Sequence, residues 1–131
     1  MTQIKRINWE ELSKMAWAVR ENASILGDTK VGAALLTNIG NIYVGCNIEQ
    51  IYRNKDIHAE VNAISNMITN GETNFQAILI AAEREMFTPC GCCMDWIFQF
   101  GGPDTKVAYQ SNPDGEIIEF LAKELMPYYP R

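Results

Sequence analysis

The chain has 131 residues, 47% of them hydrophobic, which is enough for one domain with a real core over 1–131 and too few for two of ordinary size. A formal charge of −5 argues against a surface built to neutralise a run of phosphates, so no nucleic-acid polymer is expected as partner. Four cysteines, three of them at 90, 92 and 93, are too clustered for a disulfide framework; with no run of membrane-spanning length and no signal-peptide pattern, the expectation is a soluble cytoplasmic protein that engages no membrane.

From Ile7 to about Asn22, Ile7, Leu12, Met15, Ala16 and Val19 recur near helical spacing, with Asn8 or Ser13 as cap and Glu10-Glu11 suited to the first turn. Trp9 and Trp17 on this packing helix read as core or interface residues. After a turn at Gly27-Asp28, Lys30–Leu36 and Ile42–Val44 flank Asn38-Ile39-Gly40-Asn41 and predict a β-hairpin. The loop Gly45-Cys46-Asn47-Ile48-Glu49-Gln50 is a candidate for substrate contacts. A helix is expected from about Ile57, with Val61, Ala63, Ile64, Met67 and Ile68 on one face and Asn70-Gly71 as its stop. Ala77–Ala82 is almost wholly apolar, the pattern of a strand covered on both faces. Thr88-Pro89 opens a further helix that Gly101-Gly102-Pro103 ends; Lys106–Tyr109 follows as a short strand, and Ile117–Leu125 reads as a closing helix. The resulting order αββαβαβα fits a mixed sheet with helices on both faces, an α/β fold.

Two runs carry chemistry: His58-Ala59-Glu60 and Pro89-Cys90-Gly91-Cys92-Cys93. His58, Cys90 and Cys93 offer one imidazole and two thiolates, a three-ligand set for Zn2+ that leaves the fourth tetrahedral position open for water or substrate, as in catalytic sites. Glu60, two residues beyond a ligand, is placed to move protons at that position. Both runs fall at helix N-termini, where unpaired N–H groups favour thiolate over thiol. The competing reading is a closed structural zinc site with Cys46 or Cys92 as fourth ligand, in a binding module without turnover.

With these runs in register, the chain from about Val31 to Pro127 resembles the small single-domain, zinc-dependent cytidine deaminases. Val31-Gly32-Ala33-Ala34-Leu35-Leu36 is similar to the family's first strand, Gly45-Cys46-Asn47-Ile48-Glu49 to its nucleoside loop, and Leu125-Met126-Pro127 to its C-terminal Leu-Leu-Pro. The resemblance implies a mixed five-stranded sheet with helices on both faces, a three-layer sandwich. It also implies zinc on His58, Cys90 and Cys93, Glu60 as catalytic proton carrier, and Asn47, Glu49 and Ala59 as substrate-binding residues. The implied reaction is hydrolytic deamination of cytidine, deoxycytidine or a close analogue, a step of pyrimidine salvage, by a homotetramer with shared active sites. Deamination of a purine base or of adenosine in RNA shares the zinc motif, but the acidic charge, Gly91 and the Asn47-x-Glu49 loop resemble the cytidine branch.

Several positions depart from the family pattern. His58 stands where small members often carry Cys, and Val61 where they carry Arg; replacing a thiolate by a neutral imidazole removes the charge that the Arg offsets. The usual Arg-Gln after the last cysteine is Met94-Asp95. The family's Phe ahead of the first strand is Thr29, its Tyr after the loop Glu is Arg53, with Tyr52 one place early, and its terminal Phe has given way to Tyr128-Tyr129-Pro130. Loss of a stacking ring points to room for a larger or N4-substituted cytosine nucleoside such as blasticidin S, although blasticidin S deaminases lack the loop carboxylate this chain has at Glu49.

Overall fold

Val31–Thr37 is buried at every position and forms β1, the strand on which both halves of the core rest in the computed structural model, which describes residues 6–130. Its side chains alternate between two clusters: Val31, Ala33 and Leu35 face one, Ala34 and Leu36 the other. β1 pairs antiparallel with β2 (Ile42–Cys46) on one side and with β3 (Phe75–Ala82) on the other. β3 runs parallel to β4 (Lys106–Gln110), which pairs antiparallel with β5 (Ile118–Leu121). The strand order is β2-β1-β3-β4-β5, the five-stranded mixed sheet that the resemblance implies.

Helices cover both faces. On one lies α1 (Trp9–Arg20), whose Leu12 and Ala16 meet Ala34, Leu36, Leu79 and Ala81; Asn8 caps it by accepting from the Glu11 N–H at 3.2 Å. Trp9 and Trp17 pack against this cluster, and their indole N–H groups donate to Glu119 and Gln110. On the other face α2 (Ala59–Thr69) and α3 (Gly91–Phe100) bury Ala63, Ile64, Met67, Met94 and Ile97 with Ile78, Ile80 and Val107. Ala77–Ala82, the apolar run of this strand, is buried at every position and covered on both faces.

The closing segment differs from expectation. Ile117–Leu125 is not one helix: Ile118–Leu121 is β5, and only α4 (Ala122–Leu125) is helical. Ile118, Leu121, Ala122 and Leu125 recur at helical spacing, yet β4 leaves one edge unpaired, and the branched and aromatic Ile118 and Phe120 suit a strand laid along it. Phe120 packs near Tyr109, with ring centroids 6.3 Å apart.

Val31 pairs with Ala82, so the start of β1 and the end of β3 lie side by side and their flanking loops share one end of the sheet. The first turn of α2 is brought to that end by its close approach to β2. A Cβ on Gly45 would press into the Ala63 N and lie 2.7 Å from the Ala59 O, both helix backbone. Gly45→Ala is therefore expected to cost about 1–3 kcal/mol in chemical denaturation, the range of an overpacked core. A loss under about 0.5 kcal/mol would mean that α2 can back away from the sheet without penalty.

Candidate active site

His58 is the N-cap of α2 and Cys90 the N-cap of α3, both in extended backbone and neither spending its side chain on a capping hydrogen bond. The side chains are thereby free to turn toward each other. His58 Nδ1 lies 3.3 Å from the Cys93 Sγ and 3.4 Å from the Cys90 Sγ, and all three donor atoms fall within 4.8 Å of one another. A tetrahedral zinc with bonds of about 2.0–2.3 Å needs its ligand atoms about 3.5–3.8 Å apart, so the set fits the ion. Cys93 sits one turn into α3 and is buried, whereas His58 and Cys90 are exposed. Burial pushes the Cys93 thiol up, with Glu60 and Cys90 adding to the effect.

Neither candidate fourth ligand joins them. Among the described residues the metal-binding group is His58, Cys90 and Cys93; Cys92 points to solvent and Cys46 is half-buried on β2. Closed four-ligand zinc coordination is not assembled from these side chains.

Glu60 is 4% exposed, in the first turn of α2 beside the ligands. Burial raises its carboxyl above the ordinary range, opposed by its own backbone N–H, His58 and Cys93. A carboxyl that holds a proton more readily than one in water is better suited to accept one.

These groups line a cleft of about 350 Å3, whose wall includes His58, Ala59, Glu60 and Cys90 together with Asn47 and Glu49. Ala59 is fully buried and begins α2, where N–H groups lack helical partners. Asn47 is buried and braces the entry to β1: its Oδ1 accepts from the Val31 N–H at 2.9 Å and its Nδ2 donates to the Thr29 carbonyl at 3.0 Å. The Glu49 Oε1 accepts from the Leu26 and Gly27 N–H groups at 2.7 and 2.9 Å, and these bonds hold its carboxyl below the usual range. Its Oε2 lies 3.4 Å from Arg53, whose guanidinium also bonds Asp56 at 2.9 Å.

The departures from the family pattern resolve unevenly. Thr29 and Arg53 both line the cleft. Tyr129 stacks on Phe98 of its own chain, centroids 4.1 Å apart, while Tyr128 is 95% exposed. Three wall residues went unnoticed in the sequence: Asp56, Arg84 and Phe87. Phe87 carried a usable signal, since it stands three residues before the first ligand cysteine.

Residues 7–110 match the family model described as the cytidine and deoxycytidylate deaminase zinc-binding region, and the chain belongs to that zinc-dependent deaminase family. It is 37% identical over 98 residues to a cytidine deaminase of Sporosarcina psychrophila, covering 74% of this chain and 71% of that one. A blasticidin-S deaminase of Bacillus cereus is 26% identical over 132 residues, 92% of each chain. The crystal structure of cytidine deaminase from Burkholderia pseudomallei superposes with a TM-score of 0.85 at 30% identity, over 93% of this chain and 98% of the other.

The ligand assignment predicts one zinc per chain in wild type, strong depletion in Cys90→Ala and Cys93→Ala, and full retention in Cys92→Ala, measured by elemental analysis of purified protein. Full zinc in both ligand variants would refute it.

Proposed function

We propose that the protein deaminates cytidine, deoxycytidine or a close cytosine nucleoside, yielding the uridine-type product and ammonia. The observation that carries this reading is the buried Glu60 beside an open three-ligand metal set, in the wall of a cleft that Asn47 and Glu49 also line. When bound, zinc acts as a Lewis acid that makes a water nucleophilic near neutral pH. Glu60 accepts a proton from the water that adds at C4 and passes it to the ring N3. It then carries the water's second proton to the amino group; the C4–N4 bond breaks and ammonia leaves. The Ala59 backbone faces the base, and the Glu49 Oε2, the less occupied of its two oxygens, accepts from a sugar hydroxyl.

A larger cytosine nucleoside such as blasticidin S is the second reading, supported by the likeness to the Bacillus cereus enzyme over nearly the whole chain. Against it stands the Glu49 carboxylate, already held in place by two backbone N–H groups. A panel of cytidine, deoxycytidine, cytosine, adenosine and blasticidin S separates the readings. Cytidine or deoxycytidine is expected to be turned over best, Glu60→Gln to lose at least about a hundredfold in kcat, and Glu49→Gln to harm nucleosides more than free cytosine. Equal harm to nucleoside and free base would make Glu49 structural.

We further propose one domain over the whole chain, acting on a small molecule in the cytoplasm as a homotetramer. Among the described residues no helix is long and apolar enough to cross a membrane. Trp96 and Phe100 remain half-exposed on α3, and Leu26, Ile51, Tyr52 and Met86 are each more than half exposed in segments that flank the cleft residues. Apolar side chains in such number suit contact with other subunits. Sedimentation should give a tetramer, and Tyr128→Ala should lower kcat/KM if that ring reaches a neighbour's cleft. A monomer with full activity would overturn the assembly.

A further inference from the structure

Apart from the ligand His58, one aromatic side chain among the described residues stands in the cleft wall, and it is Phe87. The position where the family resemblance places a ring is Thr29, also in the wall, and its hydroxyl is committed: it accepts from the Arg84 Nε at 3.1 Å. Arg84 and Phe87 belong to the same connection, running from the end of β3 to Cys90. That connection is tied down along its length. The Arg84 N–H donates to the Ala82 carbonyl at 2.8 Å, the Ser111 hydroxyl donates to the Arg84 carbonyl at 2.8 Å, and the Thr88 N–H donates to the Met86 carbonyl at 2.9 Å.

Between these ties Met86 takes a left-handed conformation, φ 50°, uncommon for a residue with a side chain. Its own side chain is 77% exposed, so no packing of Met86 rewards the strain. What the turn does is send Met86 outward and Phe87 inward, half-buried against the core beneath α2 and α3 and open to the cleft. Phe87 is three residues before the ligand Cys90, and Thr88 and Cys90 share its wall, so the ring stands at the metal end. A base whose C4 is to be attacked there must lie at that end too.

We infer that Phe87 is the ring against which the pyrimidine stacks in this chain, replacing the one missing at Thr29, and that the Arg84–Thr29 hydrogen bond holds the loop that presents it. The inference rests on the cytosine-nucleoside reading above. It reverses one consequence expected from the sequence: the space opened by Thr29 is not left for a bulkier base but bounded by a ring from another loop. The cleft then selects flat heteroaromatic rings through Phe87 and leaves proton traffic to Glu60. Phe87 is a binding residue in this scheme, and Arg84 a positioning residue.

The test is steady-state kinetics with cytidine together with calorimetric binding of the product uridine, on zinc-loaded wild type, Phe87→Leu, Phe87→Tyr and Arg84→Ala. Phe87→Leu is expected to raise KM and weaken uridine binding by about tenfold each, within the range that base–aromatic stacking supplies, with kcat within about twofold of wild type. Phe87→Tyr should bring both constants back toward wild type, and Arg84→Ala should move them as Phe87→Leu does, by less. A purely packing role would instead lower thermal stability and kcat with KM unmoved, and either that pattern or unchanged constants in Phe87→Leu overturns the proposal. Should Phe87→Leu fail to fold, Arg84→Ala decides: a raised KM with kcat kept supports the proposal, an unchanged KM refutes it. A wild type that neither deaminates cytidine nor binds uridine defeats the functional reading itself, and this inference with it. An active wild type indifferent to Phe87→Leu defeats this inference alone.

Discussion

Two helix N-termini aimed at one point are the constraint on which the site depends. α2 and α3 begin at His58 and Cys90, and neither N-cap side chain takes up any of the backbone N–H groups of its first turn. Those groups carry the positive end of the helix dipole, and they favour whatever negative charge collects between them: thiolate sulfur, the Glu60 carboxylate, oxygen developing on a substrate. Two helices can bring their starts so close only if both pack on the same sheet face with little between them. Ala59 and Ala63 on α2 and Gly45 on β2 supply that thinness, since each presents a methyl group or less where helix meets strand.

The Glu49 part of the cleft wall follows a different logic. Glu49 receives two backbone N–H groups and lies within ion-pair distance of Arg53, which bonds Asp56 in turn. Arg53 does this from a left-handed backbone, φ 64°, and with its charge paired twice it adds little net field to the cleft. Glu49 is thus a fixed acceptor in a cleft whose wall also carries His58, Cys90 and the buried Glu60.

Legibility in the sequence followed the range of the interactions involved. The ligands and Glu60 were readable because each sits within a turn of a helix start, and that start is marked locally by Pro89 and by the apolar periodicity after it. The hairpin was readable for the same reason, with Gly40 at φ 94° in its turn. β5 was misread as helix because Ile118, Leu121, Ala122 and Leu125 suit either period; the free edge of β4, a long-range fact, decides between them. Phe87 stayed hidden because the turn that aims it uses Met86, with no glycine to announce a left-handed residue. The stacking of Tyr129 on Phe98 had no local signal either, since that contact is made only once α3 and the C-terminal segment are docked.

The charge balance at the metal explains why this arrangement tolerates Val61. Two thiolates and a neutral imidazole around a doubly charged cation sum to zero, and Glu60 adds the one remaining charge in a place where burial already raises its affinity for a proton. An arginine at position 61, one residue on, would stabilise the carboxylate and weaken it as a base. With a third thiolate in place of His58 the same arginine would only restore neutrality. The pairing of His58 with Val61 thus keeps the net charge around Glu60 where a three-thiolate site with its arginine would also set it.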